Sequence, residues 1–142
     1  MAEPIVTGCM LVIGNEILSG RTQDTNLAHL AKVLNELGVR LVEARVIPDI
    51  EDVIVNTVNE CRAKFDYIFT TGGIGPTHDD ITAVCMAKAF GVEVIRHPEI
   101  EAVIRRREAS ADKAFRSKLI NWMLSGPQGV SRCFLMRRNL VF

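Results

Sequence analysis

Short apolar runs alternate with amphipathic segments through the first two-thirds of the chain. Four runs rich in β-branched residues predict strands, at residues 5–13, 39–47, 67–71 and 92–95. Three segments between them place apolar residues at helical spacing and predict helices, over residues 27–37, 53–61 and 81–89. The order β-α-β-α-β-α-β predicts an α/β fold, with a mostly parallel sheet covered by helices on both faces.

Polar residues mark the predicted starts of the helices. Asp24 and Thr25 can cap the first helix, and Asp79 or Asp80 falls where the third helix needs an N-cap. The leucine face of the first helix should pack on the sheet: Leu27, Leu30, Leu34 and Leu37. His29 lies off that face, so we expect it at the surface.

Asp49 has two interpretations that the sequence leaves open. It stands just before the second helix, where it would serve as an N-cap. It also follows the end of a strand, and open α/β sheets bind ligands at the carboxyl ends of their strands.

The composition is that of one ordinary globular domain. The chain has 142 residues, 48% of them hydrophobic, and its 17 basic residues balance its 17 acidic ones. Balanced charge gives no overall field that would recruit nucleic acid or a membrane surface. The sequence has no basic, hydrophobic leader, and its apolar runs fall short of the roughly 20 residues that span a bilayer. We therefore expect a cytoplasmic protein.

The four cysteines are scattered along the chain and form no C-x-x-C pair: Cys9, Cys61, Cys85 and Cys133. Their spacing predicts buried small side chains rather than disulfides or a zinc site.

A glycine-rich turn follows the third predicted strand and precedes a helix. Gly72, Gly73 and Gly75 would let a ligand approach the backbone amides, and the helix N-terminus favours phosphate. Asp79 and Asp80 would repel phosphate unless a cation lies between, which suggests Mg²⁺. The alternative is that one aspartate caps the helix and the other is solvated.

The loop at residues 14–20 is of the same kind, because it follows the first strand. Gly14 allows close approach, and Asn15, Glu16 and Ser19 offer hydrogen bonds. An ordinary turn between two glycines explains these residues equally well.

Four segments together resemble a known family: Gly-Asn-Glu-Ile-Leu-Ser-Gly at 14–20, Thr-Asn at 25–26, Ile-Pro-Asp at 47–49, and Thr-Gly-Gly-Ile-Gly-Pro-Thr-His-Asp-Asp-Ile-Thr at 71–82. Their order and spacing resemble the MoaB/Mog (molybdopterin-binding) domain, with the amino-terminal domain of CinA-like proteins as the nearest branch. The resemblance covers about residues 5–108 of a single domain.

The resemblance implies a three-layer α/β/α fold and binding of molybdopterin or an adenine nucleotide as a small-molecule partner. Mog-type relatives adenylylate molybdopterin from Mg-ATP, and CinA-like relatives are associated with hydrolysis of the ADP-ribose pyrophosphate bond. Both reactions are attacks at phosphorus supported by Mg²⁺.

The resemblance also implies roles for individual residues. Asp49 and Asp80 match the catalytic acids, and Asp79 and Asp80 match the metal-binding position. The implied ligand-binding residues are Gly14, Asn15, Glu16, Ser19, Asn26, Gly72, Gly73, Gly75, Pro76, Thr77 and Asp79.

The family further implies a homo-oligomer, a trimer in MoaB/Mog relatives and a dimer in CinA-like ones. Apolar residues left over after the sheet is covered point the same way: Phe115, Trp122 and residues 133–136.

Residues 109–142 depart from the family pattern. The sequence has Ser-Gly-Pro-Gln-Gly at 125–129 where the family's late Ala-Pro-Gly-Phe segment is expected, which suggests an altered or truncated end. Two hypotheses therefore remain: a Mg²⁺-dependent nucleotidyltransferase or pyrophosphatase, and a pterin- or nucleotide-binding module without catalysis.

Overall fold

The computed structural model describes residues 5–74, 78–96 and 125–127. Its elements are β1 (Val6–Ile13), α1 (Asn15–Leu18), α2 (Asn26–Glu36), β2 (Val39–Ile47), α3 (Glu51–Arg62), β3 (Tyr67–Thr71), α4 (Thr82–Phe90), β4 (Val94–Arg96) and β5 (Ser125–Pro127). The predicted order of strands and helices through residue 96 is confirmed. The expectation of a plain loop at residues 14–20 is wrong, because one short helix, α1, occupies part of it.

The main sheet is parallel, with strand order β2-β1-β3. β1 lies in the centre, and residues 9–13 are all buried. A central parallel strand is covered on both faces, which explains why residues 9–13 of β1 form a continuous apolar run.

Helices cover both faces of this sheet, as predicted. On one face Cys9, Leu11 and Ile13 pack with buried residues of α3 and α4. On the other face Met10 and Val12 pack with Leu30 and Leu34 of α2. Alternate residues of β1 therefore pack into two separate core layers.

The predicted fourth strand exists as β4, but its partner was not predicted. Among the described residues, β4 pairs antiparallel with β5, with Val94 opposite Pro127, and this pair is separate from the three-stranded sheet. Glycine and proline disfavour strand interiors, so residues 125–127 gave no strand signal.

The helix starts differ from the predicted caps in two of three cases. The N-cap position of α2 is Thr25, within the predicted pair, and the carboxylate of Asp24 just before it accepts hydrogen bonds from the amides of Asn26 and Leu27 at 3.3 and 2.9 Å. The N-cap position of α3 is Ile50, and that of α4 is Ile81, with no side-chain cap bond at either. Asp49 as the N-cap of α3 is therefore wrong, and neither Asp79 nor Asp80 occupies the N-cap position of α4.

The predicted leucine face of α2 is correct only at its middle. Leu30 and Leu34 are buried, whereas Leu27 is exposed and Leu37 is 71% exposed, because Leu37 lies beyond the last turn of the helix. His29 is exposed, as expected.

Three of the cysteines are buried free thiols, as predicted, at positions 9, 61 and 85. Burial raises the pKa of the Cys9 thiol to about 12 and that of Cys85 to about 11. Cys133 lies outside the described residues, as do Phe115, Trp122 and residues 133–136. In the part of the chain that the structure describes, no helix is both long and apolar enough to cross a membrane.

Candidate functional site

The loops that follow β1 and β2 are joined by two hydrogen bonds. The amide of Gly14 donates to the carbonyl oxygen of Ile47 at 3.0 Å. The amide of Asn15 donates to Asp49 Oδ2 at 2.8 Å, so the side chain of Asp49 is turned toward the start of α1. This contact explains why Asp49 does not cap α3.

The glycine turn after β3 meets the same two loops. A Cβ at Gly72 would lie 1.8 Å from the carbonyl oxygen of Ile13, and Gly72 has a φ of +88°, so the position requires glycine. A Cβ at Gly73 would lie 3.5 Å from Asp49 Oδ1. These contacts bring Gly14, Asn15, Asp49, Gly72 and Gly73 together at the carboxyl edge of the sheet, as expected for loops that follow parallel strands.

Thr82, the first residue of α4, holds the glycine turn from the other side. Its hydroxyl donates to the carbonyl oxygen of Gly72 at 2.9 Å, and its amide donates to the carbonyl oxygen of Gly73 at 3.1 Å. Sequence reasoning placed Thr82 in the family motif but gave it no role. The sequence feature that could have indicated this role is a hydroxyl side chain at the first residue of a helix that follows a glycine-rich turn.

The hydroxyl group of Thr71, the last residue of β3, is in an unusual environment. Its hydroxyl oxygen is buried and has no hydrogen-bond partner within the described parts of the chain. Such a group costs about 1–3 kcal/mol of stability, a cost that often persists at functional sites.

The remaining groups of the first loop make local contacts. The carboxylate of Glu16 folds over Gly14, where an added Cβ would meet both carboxylate oxygens at 2.6 Å. Ser19 Oγ donates to the carbonyl of Glu16 at 3.2 Å and accepts from Arg21 Nε at 3.1 Å, which stabilises the loop. Asn26 contributes its amide to the α2 cap described above.

The acidic pair lies on the segment that leads into α4. Asp79 is exposed and Asp80 is half-buried, and the carbonyl of Asp79 accepts from the amide of Ile81 at 3.0 Å. Thr82 follows this segment in the chain and binds the glycine turn directly. The segment therefore ends beside that turn. Gly75, Pro76 and Thr77 lie outside the described residues.

Within residues 5–74, 78–96 and 125–127, no group of three or more His, Cys, Asp or Glu side chains is arranged to hold a metal ion. A cation at this edge of the sheet would need further oxygen ligands, such as those of a phosphate.

A parallel α/β sheet with a glycine turn and the Asp49 carboxylate at its carboxyl edge belongs to the class of α/β domains that bind ligands at that edge. The chain belongs to one family of that class, described as the probable molybdopterin binding domain, whose profile matches residues 9–142. The resemblance found in the sequence is therefore confirmed.

Curated relatives include a probable FAD synthase of Caenorhabditis elegans, 42% identical over 100 residues, which are 70% of this chain and 19% of that protein. A CinA-like protein of Syntrophotalea carbinolica is 38% identical over 104 residues, which are 73% of this chain and 25% of that protein. The chain thus spans less than half the length of these relatives.

Among solved structures, the CinA protein of Thermoplasma acidophilum has a similar fold. The TM-score is 0.71 at 29% identity, and the match covers 86% of this chain and 70% of that one. Together with the CinA-like relative, this supports a place near the amino-terminal domain of CinA.

Proposed function

We propose that this domain binds the phosphate groups of a pterin or adenine nucleotide at the carboxyl ends of β1, β2 and β3, and that it supports attack at phosphorus with Mg²⁺. The reaction would be nucleotidyl transfer to molybdopterin or hydrolysis of the ADP-ribose pyrophosphate bond. The observation that carries the proposal is the position of Asp49, which is held by Asn15 beside the Gly73 turn.

The amides of the glycine turn attract an anion, whereas the Asp49 carboxylate attracts a cation. This difference is the reason for proposing a cation at the site. Backbone amides of a glycine turn ahead of a helix favour a phosphate group. A carboxylate such as Asp49 beside them would repel the same phosphate. Mg²⁺ between the two resolves the conflict, since this ion is usually bound by one or two carboxylates plus substrate phosphates.

The donor set fits such an ion. Carboxylate oxygens are the hard ligands that Mg²⁺ takes, and Asp49 supplies one at the turn, with Asp79 and Asp80 on the neighbouring segment. When bound, the ion would neutralise charge on the phosphate oxygens. The chain's own contribution is then positioning by the turn amides and electrostatic stabilisation by the acids.

The relatives agree with this chemistry. A molybdopterin-binding family implies a pterin ligand, and the name of the C. elegans relative, FAD synthase, denotes the making of a dinucleotide. Because the chain covers a small part of that protein, its activity reaches this domain only as a proposal.

A binding module without catalysis is the second candidate. The departure of residues 125–129 from the family's late segment favours it. This candidate predicts ligand binding with no turnover.

The deciding experiment titrates ADP-ribose, ATP and a molybdopterin precursor against the purified protein, with and without Mg²⁺, and then assays product formation. Asp49→Asn tests the site, and Asp52→Asn, in the exposed first turn of α3, is the matched control. We expect Mg²⁺-dependent turnover that falls by on the order of 10²-fold in Asp49→Asn. Binding of none of the three ligands would refute the proposal, and binding without turnover would favour the module.

A further inference from the structure

We propose that Thr82 is a positioning residue that sets the direction of two backbone amides, those of Gly73 and Ile74, and thereby builds the anion-binding surface of the glycine turn. The consequence for ligand binding rests on the function proposed above. The orientation of the amides can be tested without any ligand.

Thr82 holds two successive carbonyl groups at once. Its hydroxyl binds the Gly72 carbonyl oxygen at 2.9 Å and its amide binds the Gly73 carbonyl oxygen at 3.1 Å. Thr82 is only 2% exposed, so water does not compete effectively for these bonds.

Peptide geometry converts these two bonds into an orientation of amides. The described peptide bonds are trans, and in a trans peptide the N–H points opposite to the C=O of the same unit. The Gly72 carbonyl shares its unit with the Gly73 amide, and the Gly73 carbonyl shares its unit with the Ile74 amide. Both amides therefore point away from Thr82 and α4.

These two amides form a pair of successive donors. Among the residues that the structure describes, neither the Gly73 nor the Ile74 amide has an acceptor. Successive N–H groups in a turn are a recognised way to bind an anion. The donors expected from the sequence were those of the glycines alone, and the structure adds Ile74.

The fit between the turn and Thr82 is close. A Cβ at Gly73 would lie 2.2 Å from Thr82 Oγ1, and Gly73 has a φ of +60°. The turn is thus fixed by Ile13 on one side, through Gly72, and by Thr82 on the other.

An ordinary helical threonine in the same chain behaves differently. Thr57 is also buried, but its hydroxyl donates to the carbonyl of Val53 within its own helix, at 2.7 Å. Thr82 instead binds a carbonyl ten residues earlier, outside α4. Thr57 is therefore the matched control for loss of a buried threonine hydroxyl.

The test compares Thr82→Val, which removes the hydroxyl, with Thr82→Ser, which keeps it, and with Thr57→Val. Amide resonances of Gly73 and Ile74 are recorded by ¹⁵N NMR, and affinities for ADP-ribose and inorganic pyrophosphate are measured with Mg²⁺. We expect Thr82→Val to shift both resonances and weaken binding roughly tenfold, while Thr82→Ser restores both. Thr57→Val should lose stability without losing affinity.

Two results would overturn the inference: unchanged Gly73 and Ile74 resonances in Thr82→Val, or an equal loss of affinity in Thr57→Val. If the wild-type protein binds neither probe, the proposed function fails, and the resonances alone decide the role of Thr82. Should Thr82→Val not fold, Thr82→Ala removes the same hydroxyl with a smaller side chain, and the same comparison with Thr82→Ser applies.

Discussion

Asp49 and Asn15 are 34 positions apart in the chain, yet the Asp49 carboxylate accepts the Asn15 amide at 2.8 Å. The bond ties the carboxyl end of β2 to the first residue of α1. The second carboxylate oxygen, Oδ1, lies on the side of the Gly73 turn. One carboxylate therefore serves both the architecture of the loops and the charge at the candidate site.

Asp49→Ala and Asp49→Asn should separate these two roles. Alanine removes the acceptor for the Asn15 amide and should lower the free energy of unfolding by about 1 kcal/mol. Asparagine keeps an oxygen acceptor and should cost less stability, although it removes the charge. Urea unfolding of both variants measures the difference. An alanine variant as stable as wild type would show that the bond to Asn15 contributes nothing.

Gly72 is the position where a side chain should do most damage to the fold of the site. Gly72→Ala would place a Cβ 1.8 Å from the Ile13 carbonyl oxygen, so we expect a loss of about 3 kcal/mol or more. Gly91→Ala is the control, because Gly91 also has a positive φ but nothing within 4 Å of the added Cβ. It should cost about 1–2 kcal/mol. Equal losses in the two variants, measured by urea unfolding, would contradict a steric requirement at Gly72.

The fold could be predicted because its determinants are local. Each strand and each long helix shows its own apolar period, and parallel strands bring their carboxyl ends to one edge whatever the loops contain. That is why the meeting of Gly14, Asp49 and Gly72 could be expected from the sequence. α1 escaped prediction because four residues are too few to show a helical period.

The features that escaped prediction depend on partners distant in the chain. Asp49 has the sequence context of a cap, but its carboxylate binds Asn15 instead. Thr82 resembles any first-turn threonine until its bond to Gly72 is known. β5 contains glycine and proline, and its pairing with Val94 spans more than thirty residues. The local sequence around each of these residues does not show any of these contacts.

Asp66 should make stability depend on pH at the amino-terminal end of the sheet. Hydrogen bonds from the amide and hydroxyl of Thr7, at 2.7 and 2.8 Å, hold the pKa of the Asp66 carboxyl below its usual value of 3.8. A lowered pKa means that the charged form stabilises the fold above 3.8 and that this stabilisation is lost as the pH falls. The stability gap between wild type and Asp66→Asn should therefore shrink below that pH. A gap that stays constant in acid, by urea unfolding, would rule this out.

Assembly remains a prediction. The family resemblance implies a dimer or trimer, and several large apolar side chains are exposed in the described residues, including Val42, Tyr67 and Val84. Light scattering after size exclusion should give two or three times the mass of the 15.8 kDa chain. A monomer throughout a dilution series at micromolar concentration would contradict this prediction.

The role proposed for Asp80 is to bind Mg²⁺, which requires a charged carboxylate. Asp80 is half-buried, two residues before Thr82, and it is not the N-cap of α4. Asp80→Asn keeps the size of the side chain but removes the charge that Mg²⁺ requires, so turnover of a pyrophosphate substrate should fall by on the order of 10²-fold. Asp52→Asn, with the same change at the exposed start of α3, should leave turnover unaltered. If Asp80→Asn turns over substrate at the wild-type rate across a Mg²⁺ titration, Asp80 does not bind the catalytic metal, and Asp49 and Asp79 are the acids left to hold it.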